Sequence, residues 1–186
     1  MEQTTIKLKG AQFTLIDVKE NHGELILQLA DKTIYKYYWG AMGCGIVEFI
    51  KHCSPDYVVR NLIGQQGCFT YDNKGTFKEL RRYIREDMGL PWYLHLDFQK
   101  SLRHALKHYQ QIATCQNSFV YGWDMFVSLI DFAPIENSRD EKEIESEFKN
   151  MSEVWHFCET KHSDTYNQLT KLITQLKAKL NATYSK

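Results

Sequence analysis

The sequence predicts an α+β protein, in which an antiparallel β-meander of three or four strands packs against a larger helical body of five to seven helices. Three observations predict it. Over the first forty residues apolar side chains recur with a period near two, after Gly45 the period lengthens to three or four, and short turn signals punctuate both regions. The 186 residues read as a single domain, with a meander lobe over 1–45 and a helical body over 46–186. A chain of this size buries roughly 70% of the surface its unfolded form exposes, enough for a core without disulfides or metal.

The strands come first. Ile6 to Leu8 opens the meander, followed by Gln12 to Val18, Leu25 to Leu29 and Ile34 to Trp39. Asn21-His22-Gly23 and Asp31-Lys32 form the turns between the later strands. Lys7, Lys9 and Lys36 are placed to protect an open edge.

A short helix begins at Ile46, and Ser54-Pro55 restarts another through Val58, Val59 and Leu62 that ends at Gly64. Gly64 to Gly75 reads as a loop or short hairpin. Thr76-x-x-Glu79 has the form of a capping box before Leu80, Tyr83 and Ile84, with Gly89 closing that helix. Phe98, Leu102, Ala105, Tyr109 and Ile112 mark an amphipathic helix, and Phe119 to Ile130 a more buried one. Ala133 to Ser138 is the one linker candidate. Ser138-x-x-Glu141 opens a helix through Ile144, Phe148, Met151, Trp155 and Cys158. Thr165-x-x-Gln168 opens the last, through Tyr166, Leu169, Ile173, Leu176 and Leu180.

Charge narrows the function classes. The chain carries 23 basic and 23 acidic residues, whereas a dedicated nucleic-acid binder carries a basic surplus. The balance is uneven along the chain. Lys74 to Lys107 holds eight Lys/Arg against four Asp/Glu, and Asp131 to Glu159 three against nine. Such a bipolar molecule suits a partner surface. Cys44, Cys53, Cys68, Cys115 and Cys158 are odd in number and never in C-x-x-C. With no signal peptide at the start, they read as reduced thiols in a cytoplasm. No apolar run approaches a membrane span.

Several constellations invite chemistry. Arg103-His104-Ala105-Leu106-Lys107-His108 has the Arg-polar-x-x-x-His pattern and resembles the HEPN ribonucleases, a helical family in which paired protomers bring Arg and His together. That resemblance implies metal-independent RNA cleavage by Arg103 and His108, with His moving a proton and Arg stabilising phosphorane charge. The likeness covers six residues, and 78 more follow the motif here. The plain reading is a solvated helix face with two His four apart. The same His pair, with His95 and Asp97 nearby, has metal-ligand spacing but lacks the residues that usually complete a site, so no metal or cofactor is expected.

Gly40-Ala41-Met42-Gly43-Cys44-Gly45 reads as a tight strand-to-helix connection rather than a phosphate loop. Glu141, Glu143, Glu145 and Glu147 are favoured by the helix dipole at its start, with nucleic-acid mimicry as the sharper reading. His52-Cys53 are neighbours in sequence only. The most promising working surface is basic. Lys78, Arg81, Arg82 and Arg85 line one helix and Lys100, Arg103 and Lys107 another, with Tyr83, Trp92, Tyr93 and His104 available for stacking.

Lys36-Tyr37-Tyr38-Trp39-Gly40-Ala41-Met42-Gly43, the helix through Pro55-Asp56-Tyr57, and Leu80-Arg81-Arg82-Tyr83-Ile84-Arg85-Glu86 together resemble small proteins of bacterial phages and integrated mobile elements, over residues 24–93. The resemblance implies context rather than catalytic residues: such proteins are often inhibitors of host defence, anti-CRISPR proteins among them. The expectation is a non-enzymatic protein that binds a protein partner, a defence nuclease or its guide-RNA complex. RNA contact would come through the basic helices, with no membrane and no small-molecule substrate involved.

Overall fold

The computed structural model describes residues 2–88, 96–135, 141–151 and 153–184. In chain order the first elements are β1 (Glu2–Leu8), β2 (Ala11–Lys19), β3 (His22–Leu29), β4 (Ile34–Trp39), α1 (Ile46–His52), α2 (Pro55–Cys68) and β5 (Phe69–Tyr71). There follow α3 (Asn73–Glu86), α4 (Leu96–Ile112), α5 (Gln116–Tyr121), α6 (Trp123–Ser128), α7 (Glu141–Asn150), β6 (Thr160–His162) and α8 (Asp164–Tyr184). They form two compact units, one of residues up to Thr70 together with His162 onward, the other from Tyr71 to Lys161.

In the first unit the expected meander forms as a four-stranded antiparallel sheet in the order β1-β2-β3-β4. Ile6, Phe13, Leu15, Leu25, Leu27 and Trp39 point to one face and are buried, as period-two alternation requires. The connections between strands need left-handed backbone, supplied at Gly10, Asn21 and Lys32 with φ of 82°, 59° and 70°. α1, α2 and α8 cover the apolar face. A side chain at Gly23 would lie 2.8 Å from Met42 Cε and 2.9 Å from Ile46 Cβ, so glycine is what lets the start of α1 lie directly against β3.

Each helix of this unit has an identifiable start. Ser54 Oγ accepts the amide of Tyr57 at 3.1 Å with Pro55 in the first turn, as the sequence anticipated. Gly64, at φ 71°, breaks the helix where expected, but one further turn follows before β5. α8 starts at Asp164, and its cap is Ser163, whose Oγ accepts the amide of Tyr166 at 3.0 Å, not Thr165. Tyr166, Leu169, Ile173, Leu176 and Leu180 are all buried, as their spacing predicted.

The second unit departs further from the sequence reading. Across both units eight α-helices form among the described residues instead of five to seven, five of them in this unit. One reason is that the stretch Phe119 to Ile130 is not one helix. α5 ends and α6 begins at Gly122, where a Cβ would sit 2.7 Å from the carbonyl oxygen of Ser118 and 3.0 Å from the Tyr109 ring. Thr76 does not start a helix either. α3 begins one turn earlier, and Thr76 is buried, its Oγ1 accepting the amide of Glu159 at 2.9 Å. α7 stops at Asn150, so Trp155 and Cys158 lie outside it. Trp155 is 52% exposed in a 3₁₀ turn over Val154–Phe157.

Gly64 to Gly75, expected as a loop or hairpin, instead contains the end of α2, all of β5 and the start of α3. β5 pairs with β6 in a two-stranded sheet that the sequence did not announce. Ala133–Ile135 of the expected linker form a 3₁₀ turn; its remainder, the Ser138 cap and Gly89 lie outside the described residues.

The core of the second unit centres on Tyr109. Its ring stacks on Phe119 at 5.2 Å and Phe126 at 5.0 Å, and its hydroxyl donates to the carbonyl of Phe119. Trp123 donates its indole N–H to the Phe148 carbonyl at 3.0 Å. No helix among the described residues is long and apolar enough to cross a membrane.

Candidate functional site

The seven cationic residues singled out in the sequence lie on α3 and α4, and all are exposed. At 3.6 residues per turn, Lys74, Lys78, Arg81 and Arg85 fall within about 60° on α3, and Arg103, Lys107 and Gln110 within about 60° on α4. The two stripes meet at Gln110. Arg81 donates to its Oε1 at 2.6 Å, and the same Gln110 is held from behind by Asn73, whose amide donates to its carbonyl at 3.0 Å and to that of Ala113 at 2.8 Å. Phe77 packs edge-on to Tyr109 at 5.2 Å beneath this junction. The stripes therefore form one basic face across α3 and α4.

The cations on this face are not equivalent. Arg82 sits among three carboxylates: Glu79 at 2.5 Å, Asp87 at 3.5 Å and Glu86 at 3.6 Å. The hydrogen bond to Glu79 is the main cause that holds the Arg82 guanidinium protonated more firmly than usual, and Arg82 in turn holds the Glu79 carboxyl below its ordinary range. Arg85 pairs with Glu86 at 2.7 Å, and Lys100 with Asp97 at 2.8 Å.

Of the seven residues singled out, four have no carboxylate within ion-pair distance among the described residues, and Lys74 beside them has none either. Arg81 donates to the Gln110 amide and lies over the Phe77 ring at 5.9 Å, and Arg103 donates Nε to the Gln99 carbonyl one turn back at 3.0 Å. Lys78 and Lys107 make no ion pair there. The neutralised set was partly legible, because Glu79 and Glu86 lie three and four residues from Arg82. Gln110 and Asn73, which join the helices, carry no sequence signal.

The other constellations separate. Arg103 and His108 are both exposed on α4 but lie about 140° apart around its axis, so within one chain they face different ways. His104 is exposed on the same helix. Among the described residues, no three His, Cys, Asp or Glu side chains gather as metal ligands do, and His95, Trp92 and Tyr93 lie outside those residues. The glycine-rich connection before α1 already has its anion. Asp17 Oδ1 accepts the amide of Ile46 at 2.8 Å, so a β2 carboxylate occupies the place a phosphate would take. Of the acidic residues of α7, Glu145 pairs with Lys149. Tyr83 packs on Phe157 at 5.0 Å. His52 bonds Glu48 at 2.7 Å, away from Cys53, and all five cysteines are free.

No curated protein and no solved structure matches the chain. A protein family described as a phage family does match, over residues 2–182. That match takes in β1 to β4 and nearly all of α8, along with both basic helices, so nearly the whole chain belongs to this phage family.

Proposed function

We propose that this phage-family protein is a non-enzymatic inhibitor that acts by occupation. Its α3–α4 face seats on an anionic surface of a host defence nuclease or of the guide RNA such a nuclease carries, in the manner of an anti-CRISPR protein. One observation supports this above the rest: Lys78, Arg81, Arg103 and Lys107 are exposed on one face without a carboxylate among the described residues. Cations that are not neutralised internally gain most from a polyanionic partner, because binding releases that partner's counterions. Family membership supplies the setting, since a phage product meets the defences of its host.

The test is a pull-down of the tagged protein from host lysate, with and without ribonuclease, repeated with Arg81→Glu/Lys107→Glu and with Arg82→Gln. The double reversal is expected to lose the partner and to lower the slope of log affinity against log salt by about two. Arg82→Gln, whose charge is already balanced, is expected to retain it. Capture of the partner at wild-type level by the double variant would overturn the assignment.

A further inference from the structure

The two edges of the four-stranded sheet are treated differently. At β1 the Lys179 ammonium of α8 donates to the carbonyl of Lys7 at 3.0 Å, and Lys7 and Lys9 flank that edge. β4 has no such cover. Among the described residues, no hydrogen bond reaches its main chain except from its ladder with β3. Its sequence, Ile34-Tyr35-Lys36-Tyr37-Tyr38-Trp39, carries a single charge, and Ile34, Tyr38 and Tyr37 are 58%, 46% and 36% exposed. Folded proteins usually blunt an apolar edge of this kind, and within β4 Lys36 is the one charge that does so.

Aromatic surface continues from the edge onto the helices. Tyr37 meets Trp39 edge-on at 4.8 Å, Trp39 meets Phe49 of α1 at 5.5 Å, and Phe49 meets the exposed Tyr57 of α2 at 6.3 Å. Within this row the buried indole N–H of Trp39 has no hydrogen-bond acceptor among the described residues. A buried donor of that kind ordinarily has one.

We infer that β4 pairs antiparallel with β4 of a second copy, joining two four-stranded sheets into one. Two-fold symmetry restricts the register. In an antiparallel ladder the axis normal to the sheet passes between directly opposed residues, so one residue must face its own copy. Centring on Lys36 would oppose two ammonium groups, which is unfavourable. Centring on Tyr35 or Tyr38 leaves three of the six residues of each strand beyond the end of the other, against one when the centre is Tyr37.

Centring on Tyr37 sets Tyr37 against Tyr37, Lys36 against Tyr38 and Tyr35 against Trp39. These are aromatic pairs and a cation beside a phenol ring, each of a kind that stabilises. Tyr35, Tyr37 and Trp39 share one face of the strand. On that face this register sets Trp39 directly opposite Tyr35 of the second copy.

The test is sedimentation equilibrium of the full chain, with a cross-link that reads the register. The wild type is expected to sediment as a dimer. Tyr37→Lys is expected to sediment as a monomer with an unchanged far-ultraviolet circular dichroism spectrum. In a Cys115→Ser background, which removes the exposed native thiol, oxidation of Tyr37→Cys should give a disulfide-linked dimer. Ile34→Cys, which faces Gly40 in this register, should not. A wild type that stays monomeric at all concentrations, a dimer that survives Tyr37→Lys, or failure of Tyr37→Cys to cross-link would each overturn the proposal.

Discussion

Among the described residues, rings make up three of the twenty buried in the core beneath the meander and seven of the seventeen in the core around Tyr109, and three of those seven lie on the two shortest α-helices. Leu15, Leu25, Leu27, Leu169 and Ile173 lie on long strands and a long helix whose period repeats, so each contributes to a regular row. The second core holds α5 and α6, six residues each, which are too short to persist by backbone hydrogen bonds alone. Phe119, Trp123 and Phe126 anchor them by stacking on Tyr109 and Phe148. The lesson is that a ring cluster stabilises segments that local propensity would not.

The largest expected effect tests that lesson directly. Phe126→Ala should destabilise the protein by about 3–5 kcal/mol and Leu27→Ala by about 2–5 kcal/mol, read by urea unfolding. Their hydrogen-exchange patterns should differ, with Phe126→Ala loosening α4 to α6 and Leu27→Ala loosening the meander. A Phe126→Ala protein of wild-type stability would show that the rings do not hold the short helices. Next comes the close approach of α1 to β3: Gly23→Ala should cost about 1–3 kcal/mol by overpacking against Met42 and Ile46. Asp17→Ala, which removes the cap on α1, should cost about 1 kcal/mol in the same assay, and no change there would mean that water replaces the carboxylate without loss.

The smallest effect concerns the first unit's polar surface. Asp56 accepts the Tyr166 hydroxyl at 2.5 Å and the Arg60 Nε at 2.8 Å. The Tyr166 hydrogen bond first, and Arg60 second, hold its carboxyl below the ordinary range. A depressed folded value means a contribution to stability that is present above the unfolded pKa and lost as pH falls through the folded one. Tyr166→Phe should move the Asp56 titration upward, as read by carboxyl-carbon NMR. An unchanged midpoint would assign the shift to Arg60 alone.

How much of this was legible varies with the range of the interactions. The phage setting could be read from short stretches of sequence, and the family match extends it to residues 2–182. The basic residues could be found by composition, but their sorting could not. Arg82 is balanced by neighbours one turn away, whereas Arg81 reaches Gln110 across 29 residues of chain. Thr76 shows the same limit, because Thr76-x-x-Glu79 has the form of a cap until Glu159, 83 residues on, takes its hydroxyl.

By itself the sequence determined the meander, its turns and the buried stripe of α8. Alternation, left-handed turn residues and three-four spacing act between close neighbours, and their outcome does not depend on what packs against them. Only the tertiary structure decided where α3 begins, why a helix breaks at Gly122, which cations stay free and which sheet edge lies open. Those are set by atoms brought together from distant parts of the chain, where a neighbouring ring, carboxylate or carbonyl outweighs the local preference of the residue it meets.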